Sequence, residues 1–141
     1  MKETGTLNRD LAELLSAQGH QDRLMVCDAG FAIPEEIRVV DLSLKKDTPL
    51  IDQVLEELTI HYSIEKIIMA EETKNVSPSK FEKVRDILGR DLPVETVGHT
   101  KLKEMSHDIK FAIRTGDFTA YSNVLLISGS GDRWYLERPD N

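Results

Sequence analysis

Cysteine is nearly absent from this sequence: Cys27 is the single one in 141 residues. No intrachain disulfide can form, and a reducing cytoplasm is the natural compartment for such a chain. Long apolar runs are missing too. None approaches the roughly 18 residues of a membrane helix, and residues 1–10 are too polar to form the apolar core of a signal peptide. Basic residues are outnumbered, 18 against 25 acidic, for a formal charge of −7. That balance argues against a nucleic-acid surface, where clustered Lys and Arg displace phosphate counterions. Low-complexity stretches, internal repeats and Gly/Ser/Pro-rich linkers are lacking as well. What is there is an ordinary globular composition, 40% hydrophobic and 30% charged, at a length one core can serve. The expected layout is one domain over residues 1–129 and a polar tail over 130–141.

Helix and strand signals alternate. Asn8 suits the N-cap of a helix with Leu11, Leu14 and Leu15 on one face, and Gly19 suits the left-handed position that ends it. Leu24-Met25-Val26-Cys27 is a continuous apolar run stopped by Asp28-Ala29-Gly30, the pattern of a strand buried on both faces. Residues 37–42 read as a second strand. Thr48 and Pro49 read as a cap with proline at the first helical position, opening a helix that buries Leu50, Val54, Leu55 and Leu58. Residues 64–70 form the clearest internal strand. Ser77-Pro78 repeats the cap-then-proline signal before Phe81, Val84, Leu88 and Gly89. Strands at 94–97, 110–114 and 123–128 and a short helix at 100–105 complete the set. Such alternation predicts an α/β fold, a three-layer sandwich with a mainly parallel sheet covered by helices on both faces. In open sheets of this kind ligands bind beyond the carboxyl ends of the strands, and Asp28 stands at one such end.

Among the polar residues, His20 reads either as a cation near a helix C-terminus or as a proton-transfer group. Asp28 reads either as turn chemistry or as a carboxylate that orients a nearby imidazole and fixes its tautomer. His99 and Lys103 are four apart and would share a helix face; unaided, that face is simply solvated. Tyr121-Ser122-Asn123 brings a phenol and an amide together where the chain enters an apolar strand, and both groups recognise hydroxyls. Arg114 fits an ion pair as well as an anion. His61 and His107 read as surface or boundary residues, and Cys27 as a small buried apolar one. The four His and one Cys lack zinc spacing, so no metal is expected. Gly129-Ser130-Gly131 lacks the third glycine and the following helix of a dinucleotide loop, so no cofactor is expected either.

Several stretches occur in one order: Gly5-Thr6-Leu7-Asn8, Leu15 through Gly19-His20, Asp28-Ala29-Gly30, Ile33-Pro34, Asp41-Leu42-Ser43-Leu44, Ala70-Glu71-Glu72-Thr73-Lys74, and Ile113-Arg114-Thr115-Gly116-Asp117-Phe118-Thr119 leading to Tyr121-Ser122-Asn123. Together they resemble the D-ribose pyranases, relatives of the fucose mutarotases, over residues 5 to about 129; the Asp-Leu-Ser-Leu and Tyr-Ser-Asn segments favour the ribose branch. The resemblance implies an α/β sandwich assembled as a homo-oligomer, typically a decamer of stacked pentamers, each pocket completed by an adjacent subunit. It implies interconversion of the pyranose and furanose forms of ribose without a cofactor. On it His20 matches the catalytic acid/base, Asp28 a sugar-binding carboxylate, and His99, Lys103, Tyr121 and Asn123 sugar-binding positions. Two departures stand out. Ala120 occupies a position where proline is usual, and the tail is longer and more polar than the family's short apolar ending. The tail is expected to pack on a neighbour or stay disordered. Alternatives are mutarotation of another sugar such as fucose, or a non-catalytic sugar-binding module linked to transport.

Overall fold

A strand made of Leu24, Met25, Val26 and Cys27 has no polar side chain to offer water, so it must lie between two apolar layers. In the computed structural model, which describes residues 1–133 and 137, β1 (Arg23–Cys27) does so, in the interior of a six-stranded sheet. The chain runs α1 (Arg9–Ser16), β1, β2 (Arg38–Asp41), α2 (Ile51–His61), β3 (Ile64–Ala70), α3 (Glu71–Val76) and α4 (Pro78–Leu88), then β4 (Val94–Val97), α5 (His99–Met105), β5 (Phe111–Arg114) and β6 (Val124–Ser128). The tail residues Trp134, Tyr135, Leu136 and 138–141 lie outside the described residues, and with them the expectation placed on the tail.

The strand order is β2-β5-β1-β6-β3-β4. All pairings are parallel except the two made by β6, which runs against both β1 and β3. The sheet is therefore mainly parallel, with one reversed strand inside it. One irregularity interrupts the ladder: Ser128 lies opposite Ile64 and Ile127 opposite Lys66, so Glu65 is a bulged extra residue in β3.

One face of the sheet, with Leu24, Val26, Ile67, Met69, Phe111 and Ile113, packs under Leu11 of α1, Val54, Leu55 and Leu58 of α2, and Phe81 and Val84 of α4. The other face, with Met25, Cys27, Ile68, Ala70 and Leu125, is covered by Leu102 of α5 and by Phe31, Ile33 and Ile37 of the segment after β1. Each fully buried side chain of this size contributes about 1.5–3 kcal/mol. The three-layer sandwich is as expected, with the second helical layer thin.

Local details differ from the sequence reading. Asn8 caps α1 by accepting the Leu11 N–H at 2.9 Å, but Gly19 is not left-handed. The helix has already ended at Ala17, the Asp22 carboxylate takes the Gly19 N–H at 2.6 Å, and Gln21 adopts the positive φ of 71° instead. Pro49 does not open α2. It follows a cis peptide, and the helix starts at Ile51 with Leu50 as its cap residue. There the Gln53 side chain accepts the Leu50 N–H at 2.8 Å, and Asp117, distant in sequence, accepts that of Ile51 at 3.1 Å. Helix α3 carries little apolar signal, since Thr73 is its buried residue.

Candidate active site

The reversal of β6 decides where the polar residues meet. The carboxyl ends of β1, β3, β4 and β5 lie along one edge of the sheet, and the antiparallel β6 begins at that edge, bringing Tyr121, Ser122 and Asn123 with it. Asp28, leaving β1, donates its backbone N–H to Asn123 Oδ1 at 2.8 Å, and its carboxylate accepts the Gly30 N–H at 3.0 Å. Burial pushes the Asp28 carboxyl above its ordinary value, against the opposing pull of the Gly30 and Phe31 N–H groups and Asn123. Asn123 is buried, its amide oxygen committed to the backbone at the end of the neighbouring strand.

Tyr121 has a left-handed φ of 55°, a conformation costing a residue with a Cβ about 1–2 kcal/mol. Its surroundings hold it there: Thr73 Oγ1 donates to the Tyr121 carbonyl, Ser77 Oγ to that of Ala120 at 2.8 Å, and Ser122 Oγ to that of Thr119 at 2.9 Å. Ser77 thus braces the turn at Ala120. His99 opens α5, with its N–H on Glu72 Oε2 at 2.6 Å. Its ring stands edge-to-face between Tyr121, at 5.0 Å between centroids, and Phe31, at 6.1 Å. His99 Nδ1 is buried and has no hydrogen-bond partner in the described structure. Lys103 lies one turn further along α5 and, among the described residues, has no ion-pair partner. Asp28, Phe31, His99, Lys103, Tyr121 and Asn123 line a single cavity of about 340 Å³, within the range of small-molecule sites. A second hollow of about 330 Å³ shares Asp28, Gly30 and Ala120 with it and extends to Phe118 and Arg114.

Behind this wall Asp117 is fully buried. Its carboxylate accepts the Thr119 N–H at 2.8 Å and the Ile51 N–H at 3.1 Å, and pairs with Lys80 at 2.9 Å; its carbonyl accepts the Ala29 N–H at 2.9 Å. Lys80 also reaches Asp52 at 2.6 Å. Burial pushes Asp117 up, but Lys80 and the Thr119 and Ile51 N–H groups override it and hold the carboxyl below its ordinary value.

His20 is elsewhere. It precedes β1 and so stands at the amino edge of the sheet, separated from Asp28 by the length of the strand, on the order of 20 Å at about 3.3 Å per residue. The expected pairing of Asp28 with this imidazole within one chain does not occur. The carboxylate beside His20 is Glu65, with Oε2 2.8 Å from Nε2. Arg114 resolves to an ion pair, at 3.1 Å from Asp41 and bonded to the Ala29 carbonyl at 3.0 Å. His61 and His107 are exposed and paired with Glu57 and Glu36. Cys27 is buried, and burial pushes its thiol far up, away from reactivity. Gly129 packs on Ser63, whose Oγ would lie 2.6 Å from an added Cβ. The sequence reading assigned no role to Phe31, Glu65, Glu72 or Thr73; the Glu71-Glu72-Thr73 stretch was available as a motif, whereas Glu65 had no local signal.

Among the described residues no group of three or more His, Cys, Asp or Glu side chains is placed to hold a metal ion, and no helix is long and apolar enough to cross a membrane. The sequence profile of the RbsD / FucU transport protein family matches residues 1–130. A D-ribose pyranase of Streptococcus uberis is 42% identical over 129 residues, spanning 92% of this chain and 98% of that protein. One from Pseudothermotoga lettingae is 39% identical, spanning 92% of each. Among solved structures, Bacillus subtilis RbsD complexed with D-ribose superposes with a TM-score of 0.87 at 33% identity, over 92% of this chain and 98% of the other. The fucose mutarotase of Streptococcus pneumoniae in complex with L-fucose shares the fold, with a TM-score of 0.71 at 16% identity over 93% and 99% of the two chains. The chain belongs to the RbsD/FucU family.

Proposed function

We propose that this protein is a D-ribose pyranase, a cofactor-independent isomerase that interconverts the pyranose and furanose forms of D-ribose. It works in the cytoplasm as a homo-oligomer, a decamer of stacked pentamers. One observation carries the reading. In a chain 42% identical to a D-ribose pyranase along nearly its whole length, Asp28, His99, Lys103, Tyr121 and Asn123 converge on one cavity.

An aldose ring is a hemiacetal. In opening, the anomeric hydroxyl loses its proton, the bond from C1 to the ring oxygen breaks, and that oxygen gains a proton, leaving the linear aldehyde. Closure by a different hydroxyl reverses these transfers. Atoms and electrons balance without a co-reactant. His20 exchanges the proton, a role worth about 10²–10⁴ in rate for a positioned acid or base. Asp28, Tyr121, Asn123, His99 and Lys103 hold the sugar hydroxyls, and Lys103 also stabilises negative charge developing on a sugar oxygen. The orphaned His99 Nδ1 gains a partner when a hydroxyl lies beside it. Because His20 stands at the opposite edge of its own sheet, the imidazole serving each cavity comes from an adjacent copy.

Saturation-transfer NMR on ribose and fucose in parallel tests the reading. The protein should speed exchange between the ribopyranose and ribofuranose anomeric signals, and His20→Ala should abolish that exchange while leaving the circular dichroism spectrum unchanged. Ribose binding without accelerated exchange would mark a sugar-binding module, and acceleration confined to fucose would mark a different mutarotase.

A further inference from the structure

Two independent features at the amino edge of the sheet meet at Glu65, a residue the proposed chemistry does not use. The first is the bulge in β3. Ile64 packs in the same layer as Ile67 and Met69, so the strand's alternation is broken at Glu65, the residue left over between the pairings of Ile64 and Lys66. Bulges of this kind re-aim a side chain and concentrate beside active sites. The second is the contact itself: Glu65 Oε2 lies 2.8 Å from His20 Nε2, and it is the ring's hydrogen-bond partner among the described residues. We infer that Glu65 is the positioning residue for His20, accepting the Nε2–H, fixing the imidazole tautomer and leaving Nδ1 as the nitrogen that trades protons with the sugar.

The backbone around His20 supports that role. The Asp22 carboxylate holds the Gly19 N–H at 2.6 Å and Lys110 at 2.6 Å, and the Gln21 N–H donates to the Ser128 carbonyl at 2.8 Å. Ser128 is also the residue paired with Ile64, next to Glu65. The imidazole and the carboxylate are therefore both registered against the same point of β6. The side chains are partly open to water, His20 at 51% and Glu65 at 37%, so the pair contributes little to holding the fold together. A fixed partner on one ring nitrogen decides which nitrogen faces outward and which tautomer the neutral ring adopts. Asp28, at the opposite edge of the sheet, does not fill this place and is left to bind sugar in the other half of the proposed site.

The inference rests on His20 being the acid/base of the proposed reaction, and the test separates the two. Glu65→Ala and His20→Ala are compared with the wild-type protein by concentration-dependent saturation transfer, and the His20 ring tautomer is read from its imidazole ¹⁵N shifts. Glu65→Ala should lower kcat about 10- to 100-fold, part of the about 10²–10⁴-fold a positioned acid or base supplies, with KM for ribose little changed. The wild-type ring should be a single Nε2–H tautomer that becomes a mixture in Glu65→Ala. A wild-type kcat in Glu65→Ala, a rise in KM alone, or an Nδ1–H ring in the wild-type protein overturns the inference and leaves the function standing. Undiminished exchange in His20→Ala overturns the function beneath it.

Discussion

At Gly116 the backbone passes so close to the turn before α2 that a Cβ would lie 2.6 Å from the Thr48 carbonyl oxygen and nearer still to that of Lys45. The packing leaves no side chain to move aside, and Gly116→Ala should cost about 1–3 kcal/mol as overpacking, read as a lower urea midpoint. Asp28 behaves in the opposite sense. Its carboxyl is raised by burial, so the folded state holds that proton more tightly than the unfolded chain, and stability drains away as pH rises from 3.8 through the native value. Asp28→Asn removes that cost while keeping an oxygen for the Gly30 N–H. The variant should be inactive yet more stable than wild type at neutral pH, with the gain vanishing below the ordinary aspartate range. Urea midpoints at both pH values check this. Of such residue-level detail the sequence shows only part. His99 and Lys103 announce a shared face because four residues make about one helical turn. His20 and Glu65 are separated by 45 residues, and no local pattern links them.

Among elements, α2, α4 and the loop after β5 are joined through one ion network, Lys80 with Asp52 and the fully buried Asp117. Lys80→Met would strand the Asp117 charge, and breaking a buried pair from one side costs about 3–5 kcal/mol. Because the native Asp117 carboxyl is depressed, its contribution is present above 3.8 and disappears as pH falls through the native value. Asp117→Asn should therefore lower the midpoint at neutral pH and flatten its acid decline in urea titrations. The element pattern was mostly legible: β3 shows in its run of Ile67, Ile68 and Met69, and α4 in Pro78, Phe81, Val84 and Gly89. Helix α3 was hidden because Glu71-Glu72-Thr73-Lys74 has no apolar stripe. The start of α2 was misplaced because its Ile51 N–H is satisfied by Asp117 from far along the chain. The direction of β6 could not be read at all, since an apolar run is the same whichever way it is threaded.

At the scale of the whole molecule, the proposed acid/base role of His20, set against its distance from its own chain's cavity, would make catalysis a property of two chains. Mixed assemblies of His20→Ala and Asp28→Asn, each inactive alone, should regain exchange in about a quarter of sites if every site takes one residue from each neighbour across a heterologous interface. A mixture as silent as its components would overturn the sharing of His20 and Asp28 between neighbours. The reversed strand ties the halves together. Tyr121 and Asn123 precede β6, while Ser128 and Gly129, seated against Ser63, close it beside the bulge. A slide of that single rod by one residue would misplace the cup at one end and the plug at the other. On the proposed shared site, the protein could not drift out of tune at one partner's doorway without spoiling its own.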